Sequence, residues 1–596
     1  MHWGACVPPP HRRRRVRCAA LGTRREAPRA LRSAARADRR AAGARRRARG
    51  VMRSVTPPCM PPGEPANEAR RAWRAVCTFS TSRLAMRASR GAHIAIFIAI
   101  AGRRAYHSRA VIPRTRNRGT RIARRIRSML QPTKECAMTR RFDAIIIGTG
   151  QSGPPLAARL SAAGMKVAVV ERGRFGGTCV NTGCIPTKTL TASAYAAHLA
   201  RRADEYGVTL GGPVAVDMKK VKARKDQVAA RSNRGVEQWV RGLENGTVYH
   251  GHARFESART VRVGEALLEA ERIFIDVGGR ALIPPIPGLD QVPYFTNSTM
   301  MDVDFLPEHL IVLGGSYVGL EFGQMYRRFG ARVTIVEKGP RLIAREDEDV
   351  SHAVREILEG EGIDVRLDAD CLSVRRDGGG IAVGLDCAAG AREVRGSHLL
   401  LAVGRVPNTD DLGLEHAGVE TDARGYIRVD EQLRTNVAGI WAMGDCNGRG
   451  AFTHTSYNDY EIVAANLLDG DPRKVSDRIP AYAMFIDPPL ARVGLTQAEA
   501  ARSGRRLLVG TRPMTRVGRA VEKGESLGFM KVIVDADSHA ILGASILGVT
   551  GDEVVHSLLD AMYAKAPYTT ISRAMHIHPT VSELVPTLLQ DLHPPA

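Results

Sequence analysis

No Cys-x2-Cys occurs anywhere in the 596 residues, so the paired-thiolate clusters that hold structural zinc are not expected. Long apolar runs are also missing. The stretch Ile94–Ala101 falls far short of the roughly 20 residues a membrane-spanning helix requires, and nothing else comes closer, so a soluble protein is expected. The ten cysteines form no regular framework apart from one close pair, which suits the reducing cytoplasm better than secretion. Acidic residues are scarce in one region only. Residues 1–137 hold 34 Arg and Lys against 5 Asp and Glu, and all but Lys134 of those basic residues are Arg. The remainder holds 53 against 56, so the net charge of +26 belongs to the N-terminal segment. The near-neutral body gives no reason to expect nucleic-acid binding.

The segment 1–137 is rich in Arg, Ala and Pro and carries no helical or strand period. It cannot bury enough apolar surface to offset its ordering entropy, so a disordered basic extension is expected. A basic tail or a targeting peptide would read the same way. The favoured account is an upstream extension from a mistaken start, with Met138 as the natural first residue, because a βαβ pattern begins directly after it.

The close cysteine pair lies in Gly176-Gly177-Thr178-Cys179-Val180-Asn181-Thr182-Gly183-Cys184-Ile185-Pro186-Thr187-Lys188. In a regular helix, Cα atoms five residues apart are roughly 8 to 9 Å from each other. A disulfide needs about 7 Å or less. A bridge between Cys179 and Cys184 would therefore need irregular backbone, which Gly183 and Pro186 make accessible. Strained bridges are the easily reduced ones. Two free buried thiols remain the alternative at this point.

Upstream of the pair, Phe142–Ile147 reads as a buried parallel strand. It runs into Gly148-Thr149-Gly150-Gln151-Ser152-Gly153, a helical pattern over Pro154–Gly164, and a strand Lys166–Val170 ending on Glu171. This is a dinucleotide-binding unit. Gly148 permits the tight turn, Gly150 lets the backbone approach a diphosphate, and Gly153 lets helix pack on strand. The helix N-terminus offers N–H donors to phosphate, and Glu171 is placed for a ribose hydroxyl. The unit recurs. Strand His309–Leu313 leads into Gly314-Gly315-Ser316-Tyr317-Val318-Gly319, a helix through Phe329, and strand Arg332–Val336 ending on Glu337. Ser316 stands where the middle glycine belongs. Glu337 favours NADH, since it would repel a 2′-phosphate, although Lys338, Arg341 and Arg345 follow closely and leave NADPH open.

The GGTCVNTGCIPTK string closely resembles the redox motif of the FAD-dependent pyridine nucleotide-disulfide reductases, and the likeness extends over about residues 140 to 590. Val277–Gly288 resembles the crossover out of the FAD half, Gly404-Arg405-Val406-Pro407-Asn408 the return, and Gly439–Asp445 the second FAD motif. The resemblance implies an α/β fold with two Rossmann-like domains and a C-terminal α+β dimerisation domain. Residues 138–290 and 409–478 would form the FAD domain, 291–408 the NAD(P) domain and 479–596 the interface domain. It implies a redox-active Cys179–Cys184 disulfide, with Cys184 as the thiolate against the flavin and Cys179 as the interchange thiol. FAD would be held by Gly148, Gly150, Gly153, Glu171, Thr178, Lys188 and Asp445. NAD(P)H would be held by Gly314, Gly319, Tyr317, Glu321, Glu337 and Gly404. Lys188 and Glu321 would pair near the flavin, and Tyr317 would gate the nicotinamide pocket. His578, oriented by Glu583 in the string His576-Ile577-His578-Pro579-Thr580-Val581-Ser582-Glu583, would be the acid/base, supplied by the other subunit of a homodimer.

The form CVNTGCIPTKTL and the segment Phe452–Leu468 resemble most the mercuric-reductase-like members of the family. Their implied substrate is a disulfide or a soft metal. The chain ends Leu588-Leu589-Gln590-Asp591-Leu592-His593, without the further vicinal cysteines of true mercuric reductases. Dihydrolipoamide dehydrogenase is the runner-up, and Glu337 disfavours glutathione reductase. Two readings of other classes stand beside these: a flavoprotein redox sensor or electron donor, and a nucleic-acid-associated protein using the basic arm.

Overall fold

The computed structural model describes residues 139–387 and 390–595. The basic extension expected over residues 1–137, with Met138 and Ile94–Ala101, lies outside the described residues.

The first sheet is built on β1 (Arg140–Ile147), β2 (Val167–Glu171), β3 (Gly246–His250), β4 (Ala253–Ser257), β5 (Thr260–Val263) and β6 (Ala266–Ile275), in the order β3-β2-β1-β6-β5-β4. The β3-β2-β1-β6 half is parallel, and β5 and β4 continue it antiparallel. Successive side chains of β1 enter opposite faces. Ala144 and Ile146 pack with Leu156 and Leu160 of α1 (Gly153–Ala162), while Ile145 and Ile147 pack with Phe255 and Val261. A strand covered on both faces must be apolar throughout, which is why residues 144–147 read as an unbroken run. Helices α2 (Gly177–Asn181), α3 (Cys184–Arg201) and α4 (Met218–Arg241) lie between β2 and β3.

A ribbon leads out of this sheet. Strand β7 (Gly279–Ala281) pairs antiparallel with a return strand, Arg405–Pro407, so the two connecting segments run side by side. Between them a second parallel sheet repeats the first in small. It consists of β8 (His309–Leu313), β9 (Arg332–Val336), β10 (Asp364–Arg366) and His398–Leu401, with α5 (Tyr317–Phe329) linking β8 to β9. Again alternate residues diverge: Leu310 and Val312 enter one core, Ile311 and Leu313 another. An antiparallel three-stranded sheet over residues 369–396 covers this unit. The chain then returns to the first sheet, where Ile440–Ala442 pairs with β6, and enters α6 (Thr453–Ala464).

The C-terminal part is a five-stranded antiparallel sheet over residues 481–547, followed by short helices. The architecture is the expected one: α/β with two dinucleotide-type sheets and a C-terminal α+β unit. Among the described residues no helix is long and apolar enough to cross a membrane.

Candidate active site

The two cysteines stand on different helices. Gly176, with φ +93°, turns the chain into α2, which carries Cys179 and ends at Thr182. Gly183 breaks the path, and Cys184 opens α3. A Cβ on Gly183 would lie 2.9 Å from the Thr178 carbonyl oxygen, closer than real Cβ contacts come, and a tight 3.3 Å from Cys179 Cα, so glycine lets the chain fold back on itself there. Pro186 sits in the first turn of α3, where proline removes no helical hydrogen bond. Asn181 fastens the loop, its amide donating to the Phe175 and Gly177 carbonyls at 2.9 Å each.

Both cysteines are half-buried free thiols in this structure, and each governs the other's proton. The hydrogen bond from Cys179 lowers the Cys184 thiol to about 6, against the opposing effect of burial, with help from Thr453 and Lys188. The same contact, with burial, pushes Cys179 far up. The pair therefore holds one proton, on Cys179, and one thiolate, on Cys184. Thr453, the first residue of α6, places its hydroxyl 2.9 Å from Cys184 Sγ. Lys188, one turn further along α3, pairs with Glu321 of α5 at 2.8 Å and lies 4.5 Å over the Phe485 ring. Glu321 also accepts the Phe485 backbone N–H at 2.9 Å.

These groups line a cavity of about 930 Å³. Of the residues expected to matter, it brings together Gly148, Gly150, Glu171, Thr178, Cys179, Cys184, Lys188, Asp445, Tyr317 and Glu321. Gly153, Gly314, Gly319, Glu337, Gly404, His578 and Glu583 are not in its lining. Gly153 stands directly behind it, where a Cβ would strike the Gly148 carbonyl oxygen at 2.5 Å. Gly148 adopts φ +104° and comes so close to Asp276 that a Cβ would lie 2.1 Å from its carbonyl oxygen. Glu171 accepts the Thr149 N–H at 3.0 Å and the Gly173 N–H at 2.7 Å, so it ties the glycine loop to the turn that follows β2. Asp445 faces the cavity beside Arg405, 3.6 Å away, and burial raises its carboxyl. A cradle of bare backbone at the N-terminus of α1, continuous with a cavity reaching Cys184, fits the diphosphate and the ring system of FAD.

The second nucleotide loop repeats this geometry. A Cβ on Gly319 would lie 2.0 Å from the Gly314 carbonyl oxygen, and one on Gly314 would lie 2.4 Å from that of Ala402. Ser316 is extended, at φ −115° and ψ −175°, so a serine replaces the middle glycine without backbone strain. Glu337 accepts the N–H groups of Gly315 at 2.6 Å and Gly339 at 2.8 Å, as Glu171 does in the first unit. Of the three nearby cations, Lys338 is paired with Asp370 at 2.9 Å and Arg341 donates to the Ala344 carbonyl. Gly404, at φ +147°, accepts the Leu282 N–H where the connecting ribbon begins.

At the C-terminus, His578 Nδ1 lies 2.8 Å from a Glu583 oxygen, and the imidazole is 80 % exposed. His576 instead holds the Ser582 carbonyl at 2.8 Å. Met575 and Ile577 beside them are 98 % and 80 % exposed.

Three residues of this region had no signal in the sequence. Asp276 directly follows β6 and accepts the Gly153 N–H at 2.8 Å; burial pushes its carboxyl well up, with Asp445, Glu171 and Asp459 adding to the effect. Thr453 meets Cys184 across 269 residues. Glu346 accepts from the Tyr317 hydroxyl.

Comparison with known proteins accounts for this arrangement. Residues 142–459 match the family described as pyridine nucleotide-disulphide oxidoreductase, and residues 480–589 match its dimerisation domain. The chain is 35 % identical to the probable pyridine nucleotide-disulfide oxidoreductase RclA of Escherichia coli, over 74 % of this chain and 97 % of that one. A solved structure described as the Cu(II) complex of the HOCl-induced flavoprotein disulfide reductase RclA superimposes with a TM-score of 0.70, covering 76 % of this chain and 99 % of that one. A mercuric reductase of Streptomyces lividans is 35 % identical over 74 % of this chain and 94 % of its own length. A dihydrolipoyl dehydrogenase of Haloferax volcanii is 34 % identical over the same shares.

Proposed function

The chain belongs to the pyridine nucleotide-disulphide oxidoreductase family, whose members use FAD with NAD(P)H as electron donor, and from that premise we propose that it relays electrons through Cys179 and Cys184 to a disulfide or soft-metal substrate, in the manner of its mercuric-reductase-like relatives. The observation that carries this reading is the Cys184 sulfur, held between Thr453 and Cys179 in the cavity that opens onto the glycine cradle. When bound, FAD and NAD(P)H supply hydride and electron transfer. The chain's own residues do the rest. Gly148, Gly150 and Gly153 present bare backbone to the diphosphate, Glu171 and Asp445 face the sugar portions, and Lys188 sets a positive charge beside the ring system. In the dithiol, Cys179 keeps the proton and Cys184 the charge. Cys179 is the thiol that exchanges with substrate.

In this reading residues 138–290 and 409–478 hold FAD, 291–408 hold the nicotinamide nucleotide, and 479–596 form the face of a homodimer. NADH is the favoured donor. Glu337 occupies the ribose position, and of the three cations near it Lys338 and Arg341 are engaged elsewhere. The exposed imidazole of His578 then belongs to the site of a second subunit, with Glu583 holding its tautomer. The scattered cysteines, without a regular framework outside 179 and 184, support a reducing compartment, the cytoplasm.

The ordered His578–Glu583 pair favours a second reading, dihydrolipoamide dehydrogenase, because dithiol oxidation needs a base of this kind. One set of assays separates the two. NADH and NADPH oxidation by the purified yellow protein is measured with lipoamide, glutathione disulfide, Hg(II) and Cu(II), then repeated with Cys179→Ala and His578→Ala. Metal turnover that ignores His578 supports the first reading; lipoamide turnover that requires it supports the second. A colourless protein overturns both.

A further inference from the structure

Tyr317 is the first residue of α5, directly after the second glycine loop, and its ring lies in the cavity that holds Cys184. The ring packs edge-on against Phe452 at 6.2 Å and against Tyr482 at 5.7 Å. Phe452 in turn stacks flat on Tyr482, at 5.4 Å and 7°. Phe452 immediately precedes Thr453, the residue in contact with Cys184 Sγ. A nicotinamide whose diphosphate rests on the loop 314–319 must therefore take the place of the Tyr317 ring to approach a flavin beside Cys184.

The ring is not free to leave. Its hydroxyl donates to Glu346 Oε1 at 3.1 Å, and the Tyr482 hydroxyl donates to the same oxygen at 2.8 Å. The other oxygen, Oε2, accepts from Arg492 Nε at 2.8 Å. Both charged side chains are shut away from solvent, Glu346 at 0 % exposure and Arg492 at 1 %. Arg492 belongs to the central part of the C-terminal sheet, so the oxygen that receives Tyr317 is fixed from outside the nucleotide-binding unit. A hydrogen bond to a charged acceptor is stronger than a neutral one.

We propose that Glu346, anchored by Arg492, is a latch that holds the Tyr317 ring across the nicotinamide path, so that the protein binds the nicotinamide end of its nucleotide only by breaking the Tyr317–Glu346 hydrogen bond. This rests on the assignment of the loop 314–319 as the nicotinamide-nucleotide site. The energy needed to open the latch is drawn from nicotinamide binding alone. The ADP-ribose portion never meets it.

That division makes the latch measurable on the purified FAD-containing protein by isothermal titration calorimetry with two probes, NAD+ and ADP-ribose. Tyr317→Phe keeps the ring and removes only the hydroxyl. It is expected to tighten NAD+ roughly tenfold, the order of one charged hydrogen bond, and to leave ADP-ribose within about twofold. Glu346→Asp, whose shorter carboxylate keeps its charge near Arg492 but withdraws from Tyr317, is expected to act in the same direction. Tyr482→Phe leaves the Tyr317 bond in place and should not tighten NAD+. If Tyr317→Phe moves both probes together or neither, or if Tyr482→Phe tightens NAD+ as much, the latch is overturned. If the wild-type protein binds neither probe, the nucleotide-site assignment falls and takes the latch with it.

Discussion

At the scale of the residue, the chemistry rests on one proton divided unevenly between two sulfurs. Cys184 is lowered chiefly by the hydrogen bond from Cys179, so removing either partner must raise it. The direction is fixed by sign. A depressed thiol is charged above its own midpoint, so the Cys184 thiolate is lost as pH falls through about 6. We expect the pH midpoint of the 240 nm thiolate absorbance to move upward in Cys179→Ala. In Thr453→Val it should move upward by roughly one pH unit, the effect of one lost hydrogen bond, and Thr453→Ser should restore it. An unmoved midpoint in Thr453→Val would mean the hydroxyl does not hold the charge. Glu321 serves two partners at once, Lys188 and the Phe485 N–H. Glu321→Ala should therefore lower stability in urea titration by about 1 to 3 kcal/mol. The contacts of Thr453 and Glu346 cannot be read from neighbouring residues: both are ordinary residue types whose partners lie far away in the chain, and only the fold joins them. The pairing of Glu321 with Lys188, by contrast, is implied by the family resemblance of the two motifs.

At the scale of the element, the repeated strand–loop–helix–strand unit explains why so much was legible. A dinucleotide loop is local: its glycines, its helix and its terminal acid lie within about thirty residues. Sequence spacing alone therefore places Gly148, Gly153 and Glu171, and again Gly314, Gly319 and Glu337. The serine at 316 broke the pattern yet not the structure, because its backbone is extended. The motif Gly404–Asn408 is legible for the same reason: the sequence read it as the return into the first unit, and residues 405–407 pair with β7 in the connecting ribbon. The two helix-packing glycines allow paired tests. Gly153→Ala must push α1 off the Gly148 carbonyl, and Gly319→Ala must push α5 off that of Gly314. We expect the first to lose FAD, read as loss of yellow colour on gel filtration. The second should keep the colour and lose NAD+ binding in calorimetry. Loss of both ligands in either variant would show that the two units do not act separately.

At the scale of the whole molecule, buried charge joins what the chain order separates. Arg492 and Lys531 of the C-terminal sheet meet Glu346, Asp347 and Asp349, which flank the second dinucleotide sheet, and both cations are 1 % exposed. Removing Arg492 strands the buried Glu346 and Asp347, so Arg492→Ala should destabilise by about 3 to 5 kcal/mol, measured by urea unfolding. A larger assembly is tested by complementation. Inactive Cys184→Ala and His578→Ala proteins, dissociated and reassociated together, should regain about a quarter of wild-type lipoamide turnover, since half of the dimers are hybrids with one intact site. No recovery would place His578 in the site of its own chain.

The break at Gly183 has a consequence for the cycle as a whole. Each sulfur rides on its own rod, one of five residues and one of eighteen, and the rods meet at a single glycine. Closing or opening a bond between the sulfurs then asks only that joint to flex, leaving the two nucleotide sheets undisturbed. Such a machine can turn over many times without its frame registering the stroke.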